Sequence, residues 1–456
     1  MKPRVLVIGC GIIGQVALHS LAANNKLKNF EIAVLDRFPD SNRFMTLRDL
    51  DGSPATWMPG TRISGFPGGN LNWGKNSSLV ILENKGNWDN LFLEDIQKIA
   101  DNLSKIGFPS LKLKCLSSDL VEDSYPVHEN ANFSSLRFLE QMKLSEINLL
   151  NGYATKVTRL ENQKYRVEYR DEHNEVKNIE IDVLLVCAGP IGTQELLGKS
   201  EITKGLPEYI LDHPSFKFGT LRFNRRKLAR RGLFGWNRLS FLNDKICYTY
   251  LDKEKRILWT LRLFPRDIMG LSQQWKSLKF KIQKFQVGIL FHEVMLFFAS
   301  LASGRILFSR IDIEVAIDFL ERTDGLRTAS YSEENRIEFL EYPFNEVVIP
   351  DKIQEYCRNL VARLKFGSPD NIEFCHEGKV AIHLISSSSH HMSTIEKPQD
   401  GQLDFTEISP NLYVAGASIF PESVPGHPTF LGAVTAVYAV QKIFKKLEQI
   451  VSDTLN

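Results

Sequence analysis

The sequence predicts an α/β fold in two parts: a parallel sheet with helices, assembled from discontinuous segments, and an α+β part built on an antiparallel sheet. Three observations predict it. A β-branched apolar run near the start passes through glycines straight into a helical pattern. The same succession of strand, small-residue turn and helix returns at 181–200 and again at 411–444. Elsewhere, stretches such as "ICYTYLD", "RILWTLRLF" and "NRIEFLEYPF" carry the residue types of strands and are expected to share the antiparallel sheet.

The first element is "RVLVIGCGIIGQVALHSLAANN". It contains Gly9-Cys10-Gly11-Ile12-Ile13-Gly14, a GxGxxG that follows a strand and opens a helix. Gly9 allows a tight turn, Gly11 lets backbone approach a pyrophosphate, and Gly14 permits close helix–strand packing. The phosphates would rest on free N–H groups at the helix N-terminus. A second strand, "FEIAVLDR", ends at Asp36 with Arg37 beside it. A carboxylate at that place accepts the hydroxyl hydrogens of an adenosine ribose. Strand, glycines, helix, strand and acid in register make a Rossmann-like half-site for a dinucleotide. NAD and FAD both remain open on these residues alone.

Later segments bear on that choice. In "RISGFPGGNLNWGKN" (62–76), Gly68-Gly69 followed by Asn70, Asn72, Trp73 and Gly74 make a loop whose backbone can lie flat against a planar ligand. The segment 149–182 alternates like a hairpin-rich sheet, with turn residues at Glu172–Asn174. A parallel nucleotide-binding sheet interrupted in this way is unlike a plain NAD dehydrogenase. In "IDVLLVCAGPIGTQELLGKS" (181–200), Ala188-Gly189 form a second small-residue turn, and Pro190 suits the first position of the helix after it. The last segment, "NLYVAGASIFPESVPGHPTFLGAVTAVYAVQKIF", returns a strand, the turn Gly416-Ala417-Ser418, a Pro-rich loop and a long helix starting near Pro428.

Bulk properties narrow the function classes. At 456 residues the chain can bury a large core and fits two or three domains. A net charge of +2 gives no reason to expect a nucleic acid or an acidic partner. The six cysteines show no CxxC spacing, so neither a disulfide framework nor a metal site is expected. Cys10 and Cys187 read as small buried hydrophobes. The chain enters a strand within its first residues, which leaves no room for a targeting segment and points to a cytoplasmic location. The apolar run 287–308 is interrupted by His292 and Glu293. A buried helix or a lid over an apolar mouth is favoured there over membrane-surface contact through 276–308, which the basic run at 276–285 keeps in view.

Together these motifs resemble the glucose–methanol–choline family of FAD-dependent oxidoreductases. The residues that carry the resemblance are the Gly9/Gly11/Gly14/Asp36 fingerprint, Gly68-Gly69 with Trp73-Gly74, and "AGPIGTQELLGKS". They continue with "DHP" at 212–214, "HHMST" at 390–394 and "VAGASIFPESVPGHPT" at 414–429, all in family order. The middle, roughly 215–385, carries no match. The resemblance implies FAD held by Gly9, Gly11, Ile12, Ile13, Gly14, Asp36 and Arg37 on the first half-site. Gly69, Asn70, Asn72 and Trp73 would add the flat loop, and Ala154 a backbone contact to adenine. Ala188 and Gly189, then Gly416 and Ala417, then His427, Pro428 and Thr429 would complete it. The implied FAD-binding domain comprises 1–83, 130–214 and 386–456, with 84–129 and 215–385 as the substrate-binding or lid domain.

Departures from the family pattern matter too. Gly416 stands where the family carries Asp, and Ser393 replaces a Gly. Asn72 stands where members that tether FAD covalently have His, so non-covalent FAD is expected.

The resemblance also implies a reaction: a hydroxyl group, sugar-like or otherwise, oxidised to a carbonyl by hydride transfer to flavin N5. The hydroxyl proton needs a base within hydrogen-bond reach, and the oxygen needs a second group to hold it. Histidine suits both tasks. By family position His390 is the expected base and His427 its partner. His391 points away from its neighbour on extended backbone. His213 reads as structural, and Ser393 and Thr394 as turn caps. The expected partners are a small-molecule alcohol and an electron acceptor, oxygen or another. Two rival readings keep the fold: a lyase in which FAD is structural, and a membrane-surface electron-relay flavoprotein.

Overall fold

The computed structural model describes residues 2–23, 30–36, 45–46, 63–64, 78–83, 90–117, 120–127, 147–203, 209–211, 215–222, 245–266, 310–319, 326–331, 337–341, 346–364, 368–376, 378–381, 406–420, 424–425 and 427–455. The larger sheet has eight strands. Its parallel part runs Ile147–Arg159, Glu31–Asp36, Arg4–Ile8, Val183–Val186 and Leu412–Val414. The antiparallel strand Glu407–Ser409 closes one side, and the hairpin Tyr165–Asp171/Val176–Ile181 extends the other. Asn174 turns that hairpin at φ 63°, inside the stretch expected to turn.

The central strands are unbroken apolar runs because both faces of a parallel sheet are covered. Val5, Leu6, Val7, Val34, Leu184, Leu185 and Val186 are all buried. The helix Ile12–Ala22 packs against the long C-terminal helix Thr429–Leu455. That helix is buried on most of its first four turns, from Phe430 to Ile443. It can be apolar nearly all round because the helix Asn90–Ser104 covers it as well. Two edge-on ring contacts hold this side of the C-terminal helix, Phe92 of the covering helix with Tyr438 at 5.2 Å and Phe108, just after it, with Phe430 at 5.7 Å.

The second sheet has six antiparallel strands, in the order Ile372–Phe374, Ser215–Arg222, Arg310–Phe319, Ile257–Arg266, Lys245–Asp252 and Glu122–Val127. Its apolar face carries Trp259, Leu261, Ile313, Val315 and Ile317. The helix Asp351–Leu364 covers that face with Ile353, Tyr356, Cys357, Leu360 and Val361. On the opposite face Tyr125, Val127, Cys247, Leu251 and Leu258 meet Val80 and Leu116. These two belong to a small parallel pair, Val80–Glu83 with Lys114–Ser117. Leu79 and Ile81 alternate with Val80 and enter the core of the first sheet instead. One short strand therefore touches both cores.

Two expectations need correction. The segment 84–129, expected entirely with the second part, divides between cores. Phe92, Ile96, Ile99, Leu103, Phe108 and Leu111 pack beneath the first sheet, while Glu122–Val127 joins the second. Ile337–Glu341, expected in the large antiparallel sheet, instead pairs with Leu326–Tyr331 in a separate three-stranded sheet with Tyr209–Leu211. Period-two alternation names a strand but not its partner. Among the described residues no helix is long and apolar enough to cross a membrane; the segment 276–308 lies outside them.

Candidate dinucleotide and active site

Four parallel strands end level with one another. Ile8 pairs with Leu35 and with Val186, and Val186 pairs with Val414. The residues that follow these ends line one edge of the sheet: Gly9 onward, Asp36, Cys187 to Gly189, and Ala415 to Ala417. The first strand lies between the second strand and Val183–Val186, so the strand order reverses there. Ligands of open α/β sheets bind in the crevice that such a switch creates.

The three fingerprint glycines have different physical reasons. Gly9 has φ +93°, and a Cβ there would lie 2.5 Å from the carbonyl oxygen of Cys187. Its N–H donates to the Leu35 carbonyl at 3.0 Å, which locks the turn onto the neighbouring strand. A Cβ on Gly14 would stand 1.9 Å from the Gly9 carbonyl oxygen, so the helix can approach only without one. Gly11 is otherwise. Its φ of −66° suits any residue, and a Cβ there would meet nothing within 4 Å among the described residues. Packing among those residues does not demand glycine at 11. A phosphate resting on such a backbone would.

The helix Ile12–Ala22 begins at Gly11 with no side-chain cap and no acidic residue in its first turn. Its positive end is left for an anion. Asp36 accepts a hydrogen bond from the Cys10 N–H at 2.5 Å, which fixes the carboxylate beside the glycine turn. Gln15, buried beneath the same turn, donates from Nε2 to the Cys10 carbonyl at 2.9 Å. Burial, with Asp36 and Cys187 adding to it, pushes the Cys10 thiol far up, and burial alone does so for Cys187. Both stay neutral and serve as small apolar groups, as expected.

The second turn repeats the arrangement. Gly189 has φ +75°, a Cβ there would meet nothing within 4 Å among the described residues, and Pro190 stands in the first turn of the helix Gly189–Lys199. The third turn is at Gly416, φ +96°, whose N–H donates to Thr435 Oγ1 at 2.8 Å. That hydroxyl donates in turn to the Gly432 carbonyl at 2.7 Å. A Cβ on Gly416 would lie 3.5 Å from Ile13, and one on Gly432 would lie 3.0 Å from it. Ile13 thus fills the space left by two glycines and ties the fingerprint helix to the C-terminal one. Ala417 follows in a single turn of 3₁₀ helix, and Ile12 is buried in the first core.

His427 is half-buried, and its N–H donates to the Ser78 hydroxyl at 3.0 Å. Pro428 accepts the first helical hydrogen bond, from the Gly432 N–H at 2.9 Å, and Thr429 begins the helix. His427 therefore sits about one and a half turns before the glycine that meets Ile13. Ala154 lies three residues beyond Asn151, the register partner of Asp36, where the strand passes from parallel to antiparallel pairing. Arg37, Gly69, Asn70, Asn72, Trp73, His213, His390, His391, Ser393 and Thr394 lie outside the described residues.

The donor set fits an extended diphosphate dinucleotide. Two helix N-termini present open glycines, a carboxylate is held next to the first of them, and a third turn with a buried backbone anchor completes the edge. Gln15, Ser78 and Thr435 were missed by sequence reasoning. Gln15 and Thr435 are lone polar residues in apolar stretches, a pattern that a search for buried hydrogen-bond partners would have flagged, whereas Ser78 follows Asn76 and Ser77 and carries no such signal.

No family model matches the chain, and no curated relative does. Among solved structures the chain is similar in fold to pyridoxine 4-oxidase from Mesorbium loti, with a TM-score of 0.50 and 10% identity. The match covers 97% of this chain and 99% of that one. At this identity the likeness shows a shared α/β architecture over nearly the whole chain.

Proposed function

We propose that the chain is a flavoprotein oxidoreductase that binds FAD non-covalently along the carboxyl edge of its parallel sheet and oxidises an alcohol to a carbonyl. One observation carries the reading: three strand-to-helix turns converge on that edge, with Asp36 tied to the Cys10 N–H and Gly11 left open. The fold shared with an oxidase, pyridoxine 4-oxidase, supports it. Gly11 and Gly189 would hold the pyrophosphate, Asp36 the ribose, and backbone near Ala154 the adenine. Bound FAD supplies the acceptor for the two electrons that leave the substrate carbon as hydride.

The chain's own residues handle the proton and the oxygen. His390 accepts the hydroxyl proton, and His427 donates a hydrogen bond to the same oxygen as its bond to carbon gains order. The Ser78 hydrogen bond fixes the His427 backbone, so its ring leaves a defined point at the head of the last helix.

Anaerobic flavin bleaching across a panel of alcohols tests this. His390→Ala and His427→Ala should keep FAD but slow bleaching roughly a hundred- to ten-thousandfold. A flavin that no alcohol reduces, or bleaching undiminished in both variants, would refute the proposal. A flavin that stays oxidised while substrate is consumed would point to the lyase reading.

A further inference from the structure

Gly432 stands inside the helix Thr429–Leu455, where glycine weakens a helix. The reason for it is tertiary. A Cβ on Gly432 would lie 3.0 Å from Ile13 Cδ1 and 3.4 Å from the Gly416 Cα. A Cβ on Gly416 would lie 3.5 Å from both Ile13 Cγ1 and Ile13 Cγ2. Two glycines around one isoleucine thus let the fingerprint helix, the third turn and the C-terminal helix meet at one point.

Thr435 completes that joint. It is fully buried between Val434 and Ala436, in an apolar run where valine would have nearly the same shape. Its hydroxyl donates to the Gly432 carbonyl at 2.7 Å, inside its own helix, and accepts from the Gly416 N–H at 2.8 Å. The second bond reaches outside the helix. It pairs a buried N–H that would otherwise be left without a partner, which is costly. It also ties the left-handed Gly416, φ +96°, to the last helix and leaves Ala417 as the half-buried residue of the turn.

The strand order lays out the proposed cofactor along the edge. Ala154, Asp36, Gly11, Gly189 and Gly416 lie on, or just after, five adjacent strands taken in order. With adenine, ribose and pyrophosphate assigned to the first four, the third turn is left for the flavin half of FAD. We infer that Thr435 is a positioning residue for the flavin, and that Thr435 and Ile13 together hold the third turn at a set distance from the pyrophosphate turn. Ile13 belongs to the loop assigned to the phosphates, so a shift of Gly416 moves the flavin's support relative to them. His427 lies just before the same helix, so the joint also relates that support to the group that holds the substrate oxygen. The inference rests on the proposed FAD site, but most of its test is read without turnover.

The test compares Thr435→Val, which deletes the hydroxyl, with Thr435→Ser, which keeps it. Each variant is titrated with FAD, and the bound flavin is read by visible circular dichroism. Anaerobic bleaching is then followed with an alcohol that the unaltered protein oxidises. Thr435→Val should hold FAD, since the phosphate turns are untouched, but with altered flavin dichroism and bleaching slowed roughly ten- to a hundredfold. Thr435→Ser should restore both. Ile13→Val, which removes only the Cδ1 that stands against Gly432, should also alter the dichroism, and it carries the test if Thr435→Val fails to fold. Unchanged dichroism and bleaching in Thr435→Val, or in Ile13→Val where it stands in, would overturn the inference. Equal losses in the valine and serine variants would do so too, because they would mark Thr435 as packing alone. If no alcohol bleaches the flavin, the oxidation is refuted and the dichroism still decides the inference. If the unaltered chain binds no FAD, both are refuted.

Discussion

Replacing Gly11 with alanine separates packing from ligand binding more cleanly than any other change in this chain. The new methyl would meet no atom of the described residues within 4 Å, and φ −66° is ordinary for alanine. The cost to the apo fold is limited to a weaker N-cap, on the order of 1 kcal/mol or less. In a chain of this size that lowers Tm by about 2 °C at most. For FAD the same methyl stands where the pyrophosphate must approach. Displacing one or two charge-assisted backbone hydrogen bonds costs about 3 kcal/mol, a loss of more than about a hundredfold in Kd. Titrating apo-protein with FAD, followed by the quenching of flavin fluorescence, gives the affinity, and calorimetric melting of the apo form gives the stability. FAD bound as tightly as by the unaltered chain would show that the phosphates lie elsewhere. A large drop in apo Tm would show that Gly11 serves packing after all.

Gly14→Ala should behave in the opposite way. Its methyl would stand 1.9 Å from the Gly9 carbonyl oxygen, so apo stability should fall by about 1–3 kcal/mol or more before any ligand is added, read as a lower Tm. Trp259→Ala, which empties the fully buried centre of the second sheet, should cost about 3–5 kcal/mol in urea unfolding, and unchanged stability would contradict the packing described. In native thiol labelling read by mass spectrometry, Cys115 and Cys375 should react, while Cys10, Cys187, Cys247 and Cys357 should not. Burial pushes the Cys357 thiol up to about 12 and also raises the Cys10, Cys187 and Cys247 thiols. The unfolded chain therefore loses thiol protons that the folded chain keeps: this contribution is complete below about pH 9 and is lost as pH climbs toward the folded values. Melting temperatures measured from pH 8 to pH 11 should decline accordingly.

The fingerprint was legible because its constraints are local. A left-handed turn at Gly9 and a close approach at Gly14 each exclude side chains within a few residues, and Asp36 ends the next strand. The turns at Ala188-Gly189 and Gly416 were legible for the same reason. What the sequence did not disclose depends on partners distant along the chain. Nothing in "NLFLEDIQKIADNLS" says that its apolar stripe lies on the C-terminal helix rather than on the antiparallel sheet. Nothing in "IEFLE" chooses between two sheets with free edges. "ILWTLRLF" does show Trp259 and Leu261 alternating with Thr260 and Arg262, yet it cannot say that the polar set faces another part of the molecule. Ser78 matters through His427, 349 residues on, and Thr435 joins its own helix at Gly432 to the turn at Gly416.

The pairing of Leu184 with Leu412 bears on the order of events in folding. It closes a loop that contains five of the six strands of the antiparallel sheet, Glu122–Val127 being the exception, so the central strands of the parallel sheet meet Leu412–Val414 only after those five have been made. Closing so long a loop is entropically costly and slow, while the antiparallel sheet closes shorter loops and can form first. Until then Val183–Val186 is an apolar edge, open to wrong partners. A nascent chain stopped at residue 405 should therefore hold a protease-resistant antiparallel unit, bind no FAD, and depend on chaperones to stay in solution.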